Sequence, residues 1–412
     1  MGRRPSPTSP RRRARRRRRR LRRAILVTLL AAAASATGVA VWTGALPDES
    51  ESASSNILSQ PADRPSAARR AVQGRSTVRR RVALYAFDHA GMISAAARHD
   101  PPRVYVPNSE SNTVDVIDQR TFKIVEHFTV GALPQHVTPS YDLKRLYVDD
   151  DVGNTLTPID PRTGKRGRPF PADDPYNLYF TPGGRLAIVV AERLHRLDFR
   201  SAHTFTLVHS LTVPCAGPNH LDFSADGSYA IVSCEFSGQL LKVDVRRQTV
   251  AKVIHLPRAY AIPQDVRASP DGKVFYVADL AAGGVWEIDG AHLRVLRLLP
   301  TGAGAHGLVV SRNGRLLYVA NRNEGTISLI SFRTRKVVGK WWIPGGGSPD
   351  MGGVSADGRV LWLSGRHNAE VYALDTRTGG LLARIRVGSS PHGLSVWPQP
   401  GRHSLGHTGN MR

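Results

Sequence analysis

A repeat unit of about 42 residues recurs seven times between Arg103 and Gly401, a period typical of propellers, solenoids and arrays. Each unit contains a hydrophobic run and, after it, an apolar run that ends in an acidic or hydroxyl residue. The first runs are centred on Tyr105, Tyr147, Ile188, Ile231, Tyr276, Tyr318 and Trp362. The second runs end at Asp118, Asp160, Asp198, Asp244, Asp289, Ser331 and Asp375. Two markers with the same count indicate one structural unit per repeat.

Each unit contains four short strand patterns, which we label a, b, c and d. Residues 304–343 show them clearly, with His-Gly-Leu-Val-Val, Leu-Leu-Tyr-Val-Ala, Thr-Ile-Ser-Leu-Ile-Ser and Lys-Val-Val-Gly-Lys-Trp-Trp-Ile. Turn-forming pairs that favour positive φ separate a from b, namely Asp226-Gly227, Asp271-Gly272, Asn313-Gly314 and Asp357-Gly358. A lone sheet would expose both faces and both edges, so the units must pack on one another. The prediction is an all-β, seven-bladed β-propeller of four-stranded blades.

The phase of the repeat predicts how the ring closes. The first unit begins at its b strand, at residues 103–106, and the last a strand is predicted at residues 391–397. The C-terminal strand should therefore pair with the N-terminal blade and complete it.

Two stretches carry a family resemblance. Residues 317–330, with Tyr318-Val319-Ala320-Asn321 at their centre, and residues 105–114, with Tyr105-Val106-Pro107-Asn108, resemble the YVTN-repeat (YncE-like) seven-bladed β-propeller family. The resemblance covers residues 100–402 and implies the fold and an extracytoplasmic location. It implies no particular activity, because one scaffold hosts many functions.

Unit three departs from this pattern. Its marker Asp198 follows the b strand closely, and residues 190–194 leave almost no loop between b and c. We expect this blade to be trimmed on one face.

The N-terminus has a different composition. Residues 1–23 contain 13 arginines and no acid, and residues 24–47 are uncharged and mostly apolar. A basic flank before an apolar run is typical of an export or membrane signal. The run is long enough to span a bilayer, which favours a retained anchor, while Ala34-Ser35-Ala36 offers a cleavage site. Residues 48–82, rich in Ser, Ala and Arg, are predicted to be a disordered linker.

The formal charge of +24 does not indicate nucleic-acid binding. More than half of it lies in the arginines of residues 1–23, which the adjacent apolar run explains as a cytoplasmic flank. We therefore expect no nucleic-acid partner. A monomeric propeller, at the cell membrane or secreted, is expected at residues 83–412.

The two cysteines should meet at one edge of a blade. Cys215 precedes an a strand, and Cys234 ends the paired b strand. In an exported protein this favours a disulfide. Two reduced thiols, or a copper-binding pair beside His220, are the alternatives.

Polar side chains should gather at one mouth of the channel, because every a strand starts and every b strand ends on the same side of the ring. The a strands place there His136, Asn177, His220, Asp265, His306, Asp350 and His392. The first residues after the b strands add Asp151, Glu192, Glu235, Arg322 and Arg366. Acids in units two to four thus oppose arginines in units six and seven, a pattern suited to a carboxylate-bearing or zwitterionic ligand.

Three interpretations of this cluster remain open. A solvated channel needs polar residues, and each histidine could simply bond a neighbouring carbonyl group. Alternatively, His136, His220, His306 and His392 could bind a divalent metal ion such as Zn²⁺, Cu²⁺ or Mn²⁺.

The third interpretation is enzymatic. The mouth is similar to that of lactonase-type propellers, and this resemblance implies a hydrolase with the following roles. The base would be His306 or His392, the carbonyl-polarising group Arg322 or Arg366, and the orienting group Glu192 or Glu235.

We expect a binding or scaffold module rather than an enzyme. Its partner would be a small polar ligand or another protein, and its N-terminal segment would contact the membrane. An extracytoplasmic lactonase-like hydrolase, or a metal-binding protein using the same cluster, is the alternative.

Overall fold

Seven antiparallel sheets form a ring in the computed structural model, which describes residues 83–412. This part of the chain contains no helix, and therefore none long and apolar enough to cross a bilayer. The predicted basic flank (1–23), apolar segment (24–47) and linker (48–82) lie outside the described residues. The predicted all-β, seven-bladed propeller is confirmed.

The strands are short and regularly spaced. In chain order they are β1 (Arg103–Asn108), β2 (Thr113–Asp118), β3 (Lys123–Thr129), β4 (Pro134–Pro139), β5 (Leu146–Asp150), β6 (Thr155–Ile159), β7 (Phe170–Pro171), β8 (Pro175–Phe180), β9 (Leu186–Ala191), β10 (Arg196–Ser201), β11 (Leu207–Thr212), β12 (Pro218–Phe223), β13 (Tyr229–Cys234), β14 (Gln239–Asp244), β15 (Thr249–His255), β16 (Pro263–Ala268), β17 (Val274–Asp279), β18 (Gly284–Asp289), β19 (Val295–Pro300), β20 (Ala305–Val310), β21 (Leu316–Asn321), β22 (Thr326–Ser331), β23 (Lys336–Trp342), β24 (Pro349–Val354), β25 (Val360–Gly365), β26 (Glu370–Asp375), β27 (Leu381–Arg386) and β28 (Ser395–Trp397).

The ring closes as predicted, by pairing β28 with β1. The closing sheet has the order β28-β1-β2-β3, and each of the other six sheets is built from four consecutive strands. The closing strand is shorter than the predicted 391–397, because only Ser395–Trp397 forms the ladder, with Tyr105 opposite Ser395. Pro391 forms a single bridge to Asn108.

The repeat marker at the end of each c strand holds the turn that follows it. The Asp118 carboxylate accepts hydrogen bonds from the backbone N–H groups of Arg120 and Thr121, and Asp289 and Asp375 do the same in their units. A short acidic side chain that bonds backbone two or three residues on is the usual stabiliser of such turns. The sequence period therefore reports a structural requirement.

Unit three corrects the sequence-based assignment of its marker. Asp198 lies inside β10 and pairs with Arg196, whereas Ser201 ends the strand and accepts the turn N–H groups of His203 and Thr204. The true marker is three residues further on. The loop between b and c therefore has four residues, as in every other unit, and the expectation of a trimmed blade is wrong.

The turns between a and b have the predicted chemistry. Gly227 and Gly272 have φ values of 70° and 67°, and the neighbouring Asp226 accepts hydrogen bonds from the Ser224 and Ser228 hydroxyls. Positive φ at these positions favours glycine, because a Cβ is strained there. The Cys215–Cys234 disulfide is also present, as predicted.

Hydrophobic cores lie between neighbouring blades. Trp362 of β25, for example, packs with Val104 of β1 and Val396 of β28 in one buried cluster. The a strands around the channel are almost entirely buried, and the outer d strands are largely exposed. The ring therefore derives its stability from blade-to-blade packing.

Two segments outside the strands close the end of the channel opposite the mouth. Residues 83–100 run across the turns between a and b, where Leu84 N–H donates to Pro270 O and Gly91 N–H to Ala356 O. Residues 398–412, here called the channel segment, are almost entirely buried. In the channel segment, Leu405 O accepts from Phe180 N–H and His407 N–H donates to Leu178 O, so it lies against β8.

Replacing Trp397 by alanine tests the closure. The Trp397 side chain is fully buried and its Nε1 donates to Asp100 Oδ2 over 2.8 Å. Loss of a buried tryptophan should lower the free energy of unfolding by about 3–5 kcal/mol. Trp342→Ala is the matched control, because Trp342 is 64% exposed on an outer strand. This substitution should change the free energy of unfolding by less than about 0.5 kcal/mol. Equal effects in urea denaturation would contradict the closure.

Candidate functional site

A β-bulge at the start of six of the seven a strands turns successive side chains towards the channel. In β4, Pro134 pairs with Asp150 and Val137 with Val148, so Gln135 and His136 face one partner residue. The same shift occurs in β8, β12, β16, β20 and β24. Bulges re-aim side chains and are common beside functional sites.

The bulges create two rows of buried residues around the channel. The first row, nearer the mouth, contains Gln135, Tyr176, Asn219, Gln264, His306, Asp350 and His392. The second row contains His136, Asn177, His220, Asp265, Gly307, Met351 and Gly393. The seven a-strand residues named in the sequence analysis are thus divided between the rows, with four in the second and three in the first.

The structure brings the four predicted histidines together at the channel axis. Ring centroids are 4.8 Å apart for His136 and His392, and 5.3 Å apart for His136 and His220. His306 lies 5.6 Å from His392 and 6.3 Å from His220. All four side chains are buried.

A fifth histidine, His407, enters the cluster from the channel segment. Its ring lies 4.7 Å from that of His220 and 5.3 Å from that of His136. Sequence reasoning missed it, because His407 lies outside the repeats and carries no periodic signal. Its Nε2 lies 3.4 Å from Asp265 Oδ1.

Hydrogen bonds fix the proton position on two of the rings. His136 Nδ1 lies 2.8 Å from Tyr176 O, and His392 Nδ1 lies 2.9 Å from Gln135 Oε1. Since a carbonyl oxygen can only accept, both Nδ1 atoms carry the proton and both Nε2 atoms present a lone pair. In the part of the chain that the structure describes, neither Nε2 has a hydrogen-bond partner, and His392 Nε2 lies 3.6 Å from Asp350 Oδ2.

Burial disfavours the charged form of the clustered imidazoles. Burial lowers the pKa of His136 to about 4. Burial likewise holds the pKa values of His220, His392 and His407 well below the usual range and lowers that of His306. Neutral imidazole is the form that accepts hydrogen bonds or binds metal ions.

Acidic groups form one wall of the mouth. Asn219 Nδ2 donates to Glu192 Oε1 over 3.2 Å and to Glu235 Oε2 over 2.5 Å, so one amide holds both carboxyl groups. Burial, followed by repulsion from Glu235 and Asp151, raises the pKa of Glu192 to about 9. Burial and Asp174 raise the pKa of Asp151 to about 7. Glu192 is therefore protonated at neutral pH.

Two arginines form the opposite wall, and they differ in whether a carboxylate binds the guanidinium group. Arg322 is bound by Asp350, with Nε and Nη2 at 3.1 and 2.7 Å from Oδ1. Burial alone would raise the pKa of Asp350, but Arg322 and His306 outweigh it and hold this pKa far below its usual range. Among the described residues, no carboxylate lies within ion-pair distance of Arg366, and its Nη1 has only long contacts to Ser109 Oγ and Gln135 Oε1, at 3.4 and 3.5 Å.

The remaining predicted site residues make other contacts. Asp265 pairs with Arg267 over 3.0 Å and accepts from Leu308 N–H. Asn177 Nδ2 lies 2.8 Å from His220 Nδ1 and 3.2 Å from His407 Nδ1. Both residues thus support the second row and do not reach the mouth.

Burial and existing ion pairs limit which of the groups named in the hydrolase hypothesis are free to contact a substrate. His306 and His392 are each 2% exposed, and His306 Nδ1 lies 2.8 Å from Asp350 Oδ1. Arg322 is engaged by the same carboxylate. Only Arg366, of the groups named as polarising, has a guanidinium without an acidic partner.

Comparisons with known proteins agree on the fold. The family model for YNCE-like β-propellers matches residues 77–401. No curated protein matches the sequence.

Three solved structures have similar folds at low sequence identity. Hydrazine synthase of Kuenenia stuttgartiensis has a TM-score of 0.55 and 18% identity, covering 69% of this chain and 92% of that one. A functionally unknown protein from Desulfotomaculum acetoxidans has a TM-score of 0.60 and 14% identity, covering 72% of this chain and 98% of that one. A putative 6-phosphogluconolactonase from Bacteroides uniformis has a TM-score of 0.56 and 17% identity, covering 72% of this chain and 99% of that one. At these identities the likeness concerns the fold only.

Glu192→Gln tests the protonation of the acidic wall. A carboxyl group whose pKa rises on folding binds a proton as the chain folds, so between its two pKa values stability falls as pH rises. Wild-type protein should lose up to about 1.4 kcal/mol per pH unit through this group between about pH 5 and pH 9.

The measurement is urea unfolding at both ends of that range. Glu192→Gln should show a smaller loss on going to high pH. Glu110→Gln, at an exposed glutamate on the same face, should retain the wild-type slope. An unchanged slope in Glu192→Gln would show that Glu192 is ionised in the folded protein.

Proposed function

The chain belongs to the YNCE-like β-propeller family, and we propose that it is an exported or membrane-tethered binding module that holds a small carboxylate-bearing ligand in the mouth of its channel. Binding, not catalysis, is the proposed role. The fold alone specifies no chemistry, so the proposal depends on the side chains at the mouth.

The state of Arg366 carries the proposal. Burial lowers the pKa of its guanidinium, and attraction to the more distant Asp350 offsets this only in part. A partly buried guanidinium with weak contacts gains most from a bidentate carboxylate. Arg322 is the internal comparison, since it lies at the equivalent position one blade earlier and is already neutralised by Asp350.

The acidic wall favours a ligand that also donates hydrogen bonds. Glu235 and Glu192 share the Asn219 amide, and protonated Glu192 reduces repulsion between them. A ligand with a carboxylate toward Arg366 and an ammonium group toward Glu235 would complement both walls. The proposed ligand class is therefore a small zwitterion such as an amino acid.

The cellular location forms part of the proposal. The arginine-rich and apolar N-terminal sequence supports export or membrane tethering. The Cys215–Cys234 disulfide supports an oxidising compartment. We propose a monomeric propeller outside the cytoplasm, without a nucleic-acid partner. Its ligand-bound form would either be recognised by another protein or simply retain the ligand.

A series of charged probes tests the ligand class. Glycine, β-alanine and 4-aminobutyrate carry both charges at increasing separation, whereas butyrate and butylamine carry one each. Thermal denaturation of the full chain should show stabilisation by a zwitterion and a smaller effect of the single-charge probes, because bound ligand stabilises the folded state.

Arg366→Gln should abolish that stabilisation, and Arg377→Gln, at an exposed turn arginine, should preserve it. No stabilisation by any probe, or stabilisation that survives in Arg366→Gln, would contradict the proposal. Hydrolysis of γ-butyrolactone that is lost in His392→Ala would identify an enzyme instead.

A further inference from the structure

We propose that His136, His220 and His407 together bind a divalent transition-metal ion deep in the channel. The site goes beyond the proposed mouth function and does not depend on it. Two of its ligands come from propeller blades and the third comes from the channel segment.

The geometry of the three imidazoles matches a metal site before any ligand is added. One nitrogen from each ring lies within 4.8 Å of the other two, and all three side chains are at most 1% exposed. Ligand nitrogens around tetrahedral zinc are about 3.4 Å apart when each Zn–N bond is about 2.1 Å. Shifts of less than about 1 Å per ring would close the site.

Unpaired nitrogen atoms provide independent support. Within residues 83–412, the buried Nε2 atoms of His136, His220 and His407 have no hydrogen-bond partner. The nearest carboxylate oxygen, Asp265 Oδ1, lies 3.4 Å from His407 Nε2. Leaving a buried polar atom unpaired destabilises the folded state, so three in one cluster of rings require an explanation. A metal ion bound to the three Nε2 atoms would give all of them a partner at once.

His136 is already prepared as a ligand. Its Nδ1–H donates to Tyr176 O, which leaves the Nε2 lone pair directed into the cluster. A second hydrogen bond of this kind normally orients a metal-bound imidazole. Gly393 makes room for the ring, because a Cβ at that position would collide with His136.

The orientation of the Asn177 amide determines which nitrogen carries the proton in the other two ligands, His220 and His407. Its amide faces Nδ1 of both His220 and His407, at 2.8 and 3.2 Å. With Nδ2 toward the rings, both imidazoles carry their protons on Nε2. In this orientation Oδ1 accepts from Leu178 N–H over 3.0 Å. Rotation of the amide by 180° gives up that bond and presents Oδ1 to the rings, where it accepts both Nδ1–H groups and frees both Nε2 lone pairs. Metal binding requires this second orientation.

A fourth ligand is available from the first row. His392 Nε2 has no hydrogen-bond partner, and its ring lies 4.8 Å from that of His136. His306, Asp350 and His392 form a second group with metal-ligand spacing. Arg322 already neutralises Asp350, and this ion pair makes the second group a weaker metal site.

The ligand set indicates the class of metal. Three imidazole nitrogens suit Zn²⁺, Cu²⁺, Co²⁺ or Ni²⁺, and do not suit Mg²⁺ or Ca²⁺. The Irving–Williams order places Cu²⁺ highest among these for a flexible site. The nearby Asp265 carboxylate is paired with Arg267.

The site links metal binding to the channel segment. Arg412 Nη2 lies 2.7 Å from Asp222 Oδ1, and Asn410 Nδ2 donates to the same atom over 2.8 Å. His407 adopts a φ of 41°, a left-handed conformation that non-glycine residues seldom adopt. A metal ion would fasten the segment that closes one end of the channel.

Metal titration of the purified full chain tests the proposal. After chelation and dialysis, Co²⁺ should bind once per chain with visible absorption of a nitrogen-rich tetrahedral site, and Zn²⁺ or Cu²⁺ should displace it. His407→Ala should weaken binding by at least about a hundredfold. His403→Ala is the matched control, because His403 belongs to the same segment but stacks on Tyr141 away from the cluster, and should bind as wild type does.

Asn177 variants keep the test decisive if His407→Ala misfolds. Asn177→Asp should tighten binding about tenfold, since a carboxylate accepts both Nδ1–H groups, and Asn177→Leu should weaken it about tenfold or more. Far-UV circular dichroism would confirm folding of each variant. No stoichiometric Co²⁺, Zn²⁺ or Cu²⁺ binding to wild type overturns the proposal, as does binding that is lost in Asp350→Asn but unaffected in His407→Ala and Asn177→Leu.

Discussion

The pairing of β28 with β1 is the interaction on which the remaining structure depends. It consists of three residue pairs, yet it joins the C-terminal strand to the N-terminal blade and so completes the ring, which leaves only short, protected sheet edges. Closure fixes one axis, and only relative to that axis do loops from distant repeats become neighbours. The side chain of Trp397 fills the junction, and the chain continues from this strand into the channel.

Closure also creates the main energetic difficulty of the molecule. Seven a strands place polar side chains where little solvent reaches, and buried polar groups are costly unless they are paired. The protein resolves this unevenly. Asp350 is compensated by Arg322, and Asn219 serves two carboxyl groups, whereas Arg366 and several imidazole Nε2 atoms have weak contacts or none. These incompletely satisfied groups are the basis for assigning a ligand to the mouth and a metal ion to the channel.

The two sites share the channel but differ in depth and chemistry. Charges of both signs border the mouth, whereas imidazole rings meet around His136 and His220 beneath it, where the Asp265 carboxylate is paired with Arg267. Tyr176 lies between these levels, with its ring 5.3 Å from that of His136 and its pKa raised by burial and by Glu192. A ligand at the mouth and an ion beneath it would therefore be near neighbours without sharing a protein ligand.

The sequence by itself determined the blade count, the ring closure, the disulfide and the loops that border the mouth. These follow from local chemistry, because strand periodicity, turn-forming pairs such as Asp226-Gly227 and the capping aspartates are encoded within each repeat. Where the local signal was ambiguous, as at Asp198 and Ser201, the marker was placed three residues too early. Tertiary structure alone decided which imidazole nitrogens are unpaired, that Arg322 is neutralised while Arg366 is not, and that His407 joins the cluster. Those facts depend on contacts between residues far apart in the chain, which no repeat pattern records.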